Sequence, residues 1–270
     1  MLQLNSLGPR LATGGTAELY ALADDRVVKL YWQGASIDAA EREAERTEAA
    51  GGLGAPAPRV FEVVSIDERP GVVFERLEGP SMLAQFAQEP NRLGALARQL
   101  AEIQAGFHAF TPVRLPPQRE HLVRCINLGP LPARHKPPVL SRVRQLDDGH
   151  ALCHGDLHPG NVIMTAEGPR IIDWFDATAG NPAGDLARTC LLLQYARLPR
   201  ATDGERRVFE ALREKFLDVY LIHYRELMPD AAQGLVDWFL PVAGARLAEP
   251  IGAPERTALL KVIDSLLAEA

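Results

Sequence analysis

Along the first third of the chain, apolar residues fall in short runs broken by turns; beyond residue 80 they recur with a helical period. Leu19–Leu22 and Arg26–Trp32 flank the turn Ala23-Asp24-Asp25 and carry β-branched and aromatic side chains, which predicts two strands. Ser36 to Ala50 is charged and alanine-rich, without proline or glycine. Ser36 offers an N-cap and Gly51-Gly52 a stop, so a helix is expected there. Val60–Ile66 and Val72–Leu77 predict two more strands around a turn at Asp67–Gly71. With a strand ahead of residue 13, the order is strand, strand, strand, helix, strand, strand. That order describes a sheet carrying one helix.

Past Glu78-Gly79-Pro80 the pattern changes. Leu93, Leu96, Ala97, Leu100 and Ile103 set a helix between Asn91 and Phe110. The proline-rich passage from Pro112 to Pro138 is expected to hold short helical pieces at best. Asn161–Met164 and Arg170–Ile172 predict two short strands around Glu167-Gly168. After Pro182, amphipathic stretches near Leu186–Tyr195, Arg206–Leu227, Ala231–Leu247 and Glu255–Leu267 predict helices. The fold class expected is therefore α+β and bilobal. A small antiparallel-sheet lobe with one helix joins a larger, mainly helical lobe near residue 78.

Composition narrows the field. Of 270 residues, 47% are hydrophobic and 24% charged, as in ordinary soluble globular proteins. A net charge of -6 leaves no electrostatic footprint for nucleic acid. Cys125, Cys153 and Cys190 are widely spaced, without a CxxC pair or a Cys/His cluster, so neither zinc nor a disulfide framework is expected. Reduced cysteines fit a cytoplasmic protein. The N-terminal residues lack the basic start and apolar stretch of a signal peptide, and no run reaches the roughly 18 apolar residues of a membrane span. A cytoplasmic protein with no membrane and no obligate protein partner is the expectation.

The chemistry concentrates in Leu152-Cys153-His154-Gly155-Asp156-Leu157-His158-Pro159-Gly160-Asn161-Val162-Ile163. Asp156 and Asn161 keep the Asp-x-x-x-x-Asn spacing of a kinase catalytic loop, where the Asp accepts a hydroxyl proton and the Asn amide oxygen holds Mg²⁺. Pro159-Gly160 supplies the turn that aims them. Twelve residues past Asn161, Asp173 follows the apolar run Ile171-Ile172, and the hairpin between them returns it beside Asn161. Two hard oxygen ligands suit magnesium, which takes one or two such groups along with phosphate oxygens and water. Read alone, the same residues would be a hairpin whose Asp and Asn cap turns.

With His154-Gly155 before it and Asp173 after it, the passage resembles the aminoglycoside phosphotransferase and choline kinase superfamily, which has a protein-kinase-like fold. The resemblance runs from about residue 13 to about residue 195. It implies Asp156 as catalytic base and Asn161 and Asp173 as metal ligands, with ATP and Mg²⁺ as cofactors. It divides the chain into a nucleotide-binding lobe, 1–78, and a catalytic and substrate-binding lobe, 79–270. Val27-Val28-Lys29-Leu30 places Lys29 like the kinase phosphate-binding lysine. A lysine there needs an orienting carboxylate, and the helix offers Glu41, Glu43, Glu45 and Glu48; counting back from Ala55-Pro56-Ala57-Pro58 selects Glu43, with Glu45 left open.

Other positions follow the same resemblance. Gly14, Gly15 and Thr16 lie between the first two strands, where backbone amides approach phosphates; they match neither the protein-kinase Gly-x-Gly-x-x-Gly nor the Walker string. Glu75 C=O and Leu77 N–H would pair adenine at the joint of the lobes. Asp185, in Asn181-Pro182-Ala183-Gly184-Asp185-Leu186, would brace the catalytic loop, although an acid at a helix start also has a purely dipolar explanation. His154 and His158 are read as shaping the loop. His108, His121 and His223 have no partners legible in the sequence.

The implied activity is transfer of the ATP γ-phosphoryl group to a hydroxyl of a small molecule; the family's acceptors include aminoglycosides, choline, ethanolamine, homoserine and methylthioribose. Protein acceptors are not expected, because no Asp-Phe-Gly string is present. For an amine-bearing acceptor, Asp176 and Asp237 are candidate contacts. Two rivals stand beside the enzyme: a nucleotide-binding pseudokinase acting as sensor or scaffold, and a helical interaction module using the surface after Pro182.

Overall fold

A computed structural model describes residues 3–196 and 202–269. The N-terminal part is a five-stranded antiparallel sheet built from β1 (Arg10–Thr13), β2 (Ala17–Ala23), β3 (Arg26–Tyr31), β4 (Val60–Ile66) and β5 (Arg69–Glu75), in the order β1-β2-β3-β5-β4. Helix α1 (Ile37–Gly52) packs on one face. The period of two along β3 decides what meets it: Val27, Lys29 and Tyr31 share one face, while Val28 and Leu30 point to the other. Val27 and Tyr31 join Ala40 and Ala44 of α1, whereas Val28 and Leu30 pack with Ile66 and Val73. Lys29 is thereby aimed at α1 by the strand itself.

Helix α1 begins where Ser36 accepts a hydrogen bond from Asp38 N (3.1 Å). Its buried positions include Ala40, Glu43, Ala44, Thr47 and Ala50, a helical stripe. The stripe escapes a hydrophobicity reading because it is made of alanines, a carboxylate and a hydroxyl. Gly51-Gly52 does not stop the helix as expected. Both residues lie within it, and the chain turns at Gly54, whose φ of +94° suits glycine. β5 also starts earlier than expected, because Asp67 and Glu68 both take positive φ and close a tight hairpin.

The remainder is mainly helical. α2 (Met82–Gln88), not expected, starts at Ser81, whose hydroxyl accepts from Ala84 N (3.0 Å). α3 (Leu93–His108) matches its periodicity. The proline-rich passage holds two full helices, α4 (Gln118–Leu128) and α5 (Lys136–Gln145), of 11 and 10 residues, where short pieces were expected. Its prolines mislead: Pro117 precedes α4, and Pro137-Pro138 sits in the first turn of α5, where a missing N–H costs little. β6 (Ala151–Cys153) pairs with β9 (Thr178–Gly180), and β7 (Val162–Thr165) with β8 (Gly168–Ile171). Three-residue strands such as β6 and β9 are too short to show a period. α6 (Pro182–Tyr195), α7 (Asp203–Leu227), α8 (Pro229–Arg246) and α9 (Ala253–Ala268) complete the chain. Phe86, Phe107, Phe209, Phe216, Tyr220 and Tyr224 are fully buried among them. No described helix is long and apolar enough to cross a membrane.

Candidate active site

β6 delivers the chain into the loop 154–161. Gly155 has φ +82°, and a Cβ there would lie 2.6 Å from the Asp176 carbonyl oxygen, so no other residue fits. His154 Nδ1 accepts from Asp156 N (3.1 Å), and its Nε2 donates to Ile172 O (3.2 Å). Burial pushes this imidazole down toward its neutral form, as one accepting and one donating nitrogen require. His158 Nδ1 accepts from Gly160 N (3.0 Å) and closes the short turn Pro159–Asn161. Both histidines therefore hold backbone.

Behind the loop lies a buried polar cluster. Asp185 Oδ1 accepts from Gly155 N (2.7 Å), while Oδ2 meets Gln104 Nε2 (2.9 Å) and His108 Nε2 (3.0 Å). His108 Nδ1 lies 2.7 Å from the Tyr224 hydroxyl. Burial alone would raise the Asp185 carboxyl; the bonds from His108, Gly155 and Gln104 outweigh it and hold the group below the usual carboxylate range. Asp185→Ala leaves Gly155 N and His108 without their acceptor, and breaking such a buried pair costs about 3–5 kcal/mol. A lower urea midpoint is the expected result; an unchanged one refutes the bracing role. Because the folded carboxyl is depressed, its contribution is present near neutral pH and drains away as acidification passes below the ordinary carboxylate range.

On the sheet side, Lys29 Nζ lies 2.6 Å from Glu43 Oε1 and 2.9 Å from Asp173 Oδ1. Glu43 is 1% exposed, whereas Glu45 faces solvent, so the pair formed is Lys29–Glu43. The Tyr31 hydroxyl donates to the other oxygen of Glu43. The sequence contained the sign of this: Tyr31 lies two residues past Lys29 on one strand, hence on one face. Asp173 adopts a left-handed conformation (φ 69°, ψ 55°) as the chain leaves β8. Asp and Asn are among the few non-glycine residues that enter this region, and strain of this kind concentrates at functional sites.

The loop and the hairpin meet edge to edge. Ile172 N donates to Asn161 O (2.9 Å), which sets Asn161 beside Asp173. Asn161 Nδ2 donates to Asp156 O (3.0 Å) and to Asp156 Oδ2 (3.2 Å), turning its amide oxygen away from that carboxylate. Lys29, Asp156 and Asp173 all line a cavity of about 1250 Å³, together with Gly15 and Thr16. A second cavity, of about 390 Å³, shares Lys29 and Asp173 and is lined by Gly14, Glu43, Glu75 and Leu77. The Gly14–Thr16 segment is tied down by Trp32, whose Nε1 donates to Gly15 O (3.0 Å). The Glu75 carboxylate is engaged by Arg170 (2.8 Å) and Arg59 N (3.0 Å), which leaves its side chain a structural task.

Of the two acids considered for an amine, Asp176 lines the larger cavity, and burial, with Glu249 and Asp156 close by, pushes its carboxyl up to about 7. Asp237 is exposed, pairs with Arg142 (3.6 Å) and lines neither cavity. Ala253-Pro254-Glu255 repeats the letters of a protein-kinase string but forms the first turn of α9. Arg188 and Glu249 were not singled out from the sequence, although Arg188 lies one helical turn past Asp185 and so shares its face of α6. Nothing in the sequence marks Glu249, which the fold brings in from the α8–α9 loop.

The profile described as "Phosphotransferase enzyme family" matches residues 9–235. The chain belongs to that family. Among solved structures, this phosphotransferase is similar to a thermostable mutant of aminoglycoside phosphotransferase APH(4)-Ia in ternary complex with AMP-PNP and hygromycin B (12% identity, 98% of this chain and 95% of the other, TM-score 0.65). It also resembles APH(2'')-IIa with streptomycin and ATP (14%, 97% and 93%, TM-score 0.59). A third is choline kinase from Cryptosporidium parvum Iowa II (13%, 99% and 92%, TM-score 0.58). At these identities the likeness is one of fold, and the bilobal protein-kinase-like architecture is the one this phosphotransferase adopts. No curated protein matches its sequence.

Proposed function

We propose that this phosphotransferase transfers the γ-phosphoryl group of ATP to a hydroxyl of a small molecule, with Asp156 as the base. The carrying observation is convergence: Lys29, held by Glu43, lines one cleft between sheet and helices together with Asp156 and Asp173, and Asn161 is hydrogen-bonded to Asp156 beside them. Residues 1–78 form the nucleotide-binding lobe in this reading and residues 79–270 the catalytic one. ATP occupies the smaller cavity, with adenine at the Glu75–Leu77 backbone and phosphates near Gly14–Thr16. AMP-PNP and ATP in two structural neighbours support a nucleoside triphosphate as donor.

Magnesium fits the donor set. Asn161 Oδ1 and the Asp173 carboxylate are two hard oxygens, and no cluster of three or more His, Cys, Asp or Glu side chains able to hold an ion exists among the described residues. Such a site suits an ion whose remaining ligands are phosphate oxygens and water. When bound, it neutralises phosphate charge. Lys29 carries a further positive charge to the phosphates, Asp156 orients the acceptor hydroxyl and takes its proton, and positioning provides most of the acceleration.

The larger cavity receives the acceptor. Its walls combine Asp176, Glu210 and Glu255 with Trp32, Phe175 and Tyr195, a surface for a polyhydroxyl or amine-bearing alcohol such as an aminoglycoside, choline or a sugar. A pseudokinase is disfavoured because Lys29, Asp156, Asn161 and Asp173 all retain the catalytic types. Mg·ATP should raise thermal stability, by about 2.7 kcal/mol at a hundredfold excess over Kd, and a coupled ADP assay across alcohols should identify an acceptor. Stabilisation without ADP release from any alcohol would favour the sensor reading. No stabilisation at all would favour an interaction module.

A further inference from the structure

Arg188 is buried, yet its guanidinium lies against Asp156. Its Nε donates to Gly155 O (2.8 Å), and Nη2 donates to Asp156 Oδ1 (3.0 Å). The outer edge of the same group meets Glu249, through Nη1 to Oε1 (2.7 Å) and Nη2 to Oε2 (3.0 Å). Glu249 is in turn bound by Arg246, whose Nε donates to Glu255 Oε1 (2.8 Å). Charges therefore alternate from Asp156 through Arg188, Glu249 and Arg246 to Glu255. The last four are carried by α6, the α8–α9 loop, α8 and α9.

Stability alone is a poor reason for such a chain, because burying ions costs desolvation that apolar packing of equal volume avoids. Geometry supplies a better one. The planar fork of Arg188 grips both the backbone of Gly155 and the carboxylate of Asp156, whereas a lysine ammonium, a point charge with rotating donors, does not set how two acceptors are oriented. Asn161 Nδ2 takes the second oxygen, Oδ2, at 3.2 Å. Both carboxylate oxygens are thus engaged, one by each donor, which restrains rotation of the group.

We propose that Arg188 is the positioning residue for Asp156, fixing the carboxylate so that one lone pair faces the larger cavity, with Glu249 fixing Arg188 from the α8–α9 loop. The inference rests on the phosphotransfer reading above. In the step it serves, the acceptor O–P bond forms as the bond from the γ-phosphorus to the β–γ bridging oxygen breaks. ADP leaves, and the acceptor proton moves to Asp156. Residues 249–252 line the same cavity, so the loop that meets the acceptor also holds the base.

The test uses the full chain, with water as acceptor and ADP release from Mg·ATP as readout, alongside calorimetric binding of Mg·AMP-PNP. Arg188→Gln should lower kcat about 100-fold, the scale of a misplaced reacting group, with KM for Mg·ATP and Kd for Mg·AMP-PNP within about twofold of wild type. Arg188→Lys should fail as badly, and methylguanidinium should restore turnover to Arg188→Ala. Glu249→Gln should lose less, and adding it to Arg188→Gln should cost nothing more, because both act on one carboxylate. Wild-type kcat in Arg188→Gln or Arg188→Lys overturns the proposal. So does parallel loss of Mg·AMP-PNP binding, which marks a general structural role, or failure of methylguanidinium to rescue a variant that still binds nucleotide. A wild-type protein that binds Mg·AMP-PNP but never releases ADP, with water or with any alcohol, overturns the phosphotransfer reading itself and this one with it.

Discussion

Asp156→Asn should lower phosphoryl transfer by about 10²–10⁴-fold, the range typical of a lost general base, while Mg·AMP-PNP binds as before. The asparagine keeps the shape of the side chain and can still accept from Arg188; it gives up the bond from Asn161 Nδ2 to Oδ2, but Asn161 keeps its bond to the carbonyl of residue 156, so the loop stays in place. What it loses is the capacity to take a proton. Lys29 keeps its bonds to Glu43 and Asp173, and the Gly14–Thr16 segment its bond from Trp32, which is why nucleotide affinity is expected to survive. Single-turnover measurement with saturating ATP separates the chemical step from binding. Wild-type turnover would remove Asp156 from its role, and an equal loss of nucleotide affinity would assign it to binding instead.

Asp173→Asn should act on the other half of the reaction. Asparagine tolerates the left-handed conformation that Asp173 adopts, so the substitution removes a charge without forcing the backbone to move. Mg·AMP-PNP affinity should fall at least about 10–100-fold, since losing even an outer-shell partner of a metal costs that much. The dependence on magnesium concentration should shift to higher values in titrations. Lys29 retains Glu43, so its own position is preserved. An unchanged magnesium dependence would contradict the ligand assignment. Stronger binding would show that the Lys29–Asp173 pair opposes the nucleotide rather than preparing for it.

Much of the frame was legible because its signals are local. Strand alternation around residue 29, the proline- and glycine-free run after the Ser36 cap and the hairpin between Asn161 and Asp173 each lie within one short window. Glu43 could be counted to, but its burial could not be read, because a face of alanines gives a weak apolar signal. The helices of the proline-rich passage were hidden by prolines that stand before or within the first turn. The Asp185 cluster and the Arg188 chain were illegible for a different reason. Gln104, His108 and Tyr224 sit on α3 and α7, and Glu249 sits in the α8–α9 loop, so only tertiary packing joins them to residues 154–161. Buried polar groups must find partners, yet no spacing rule says where those partners lie.

Helix α1 is fastened in two directions from one turn of its buried face. Glu43 holds Lys29 and Tyr31, and Arg46 donates to the Phe175 carbonyl across the cleft. Swinging that helix outward would break the Lys29–Glu43 pair and leave Lys29 with Asp173 as its carboxylate partner. The Lys29–Glu43 pair therefore couples any displacement of α1 to the position of Lys29 on the cavity wall.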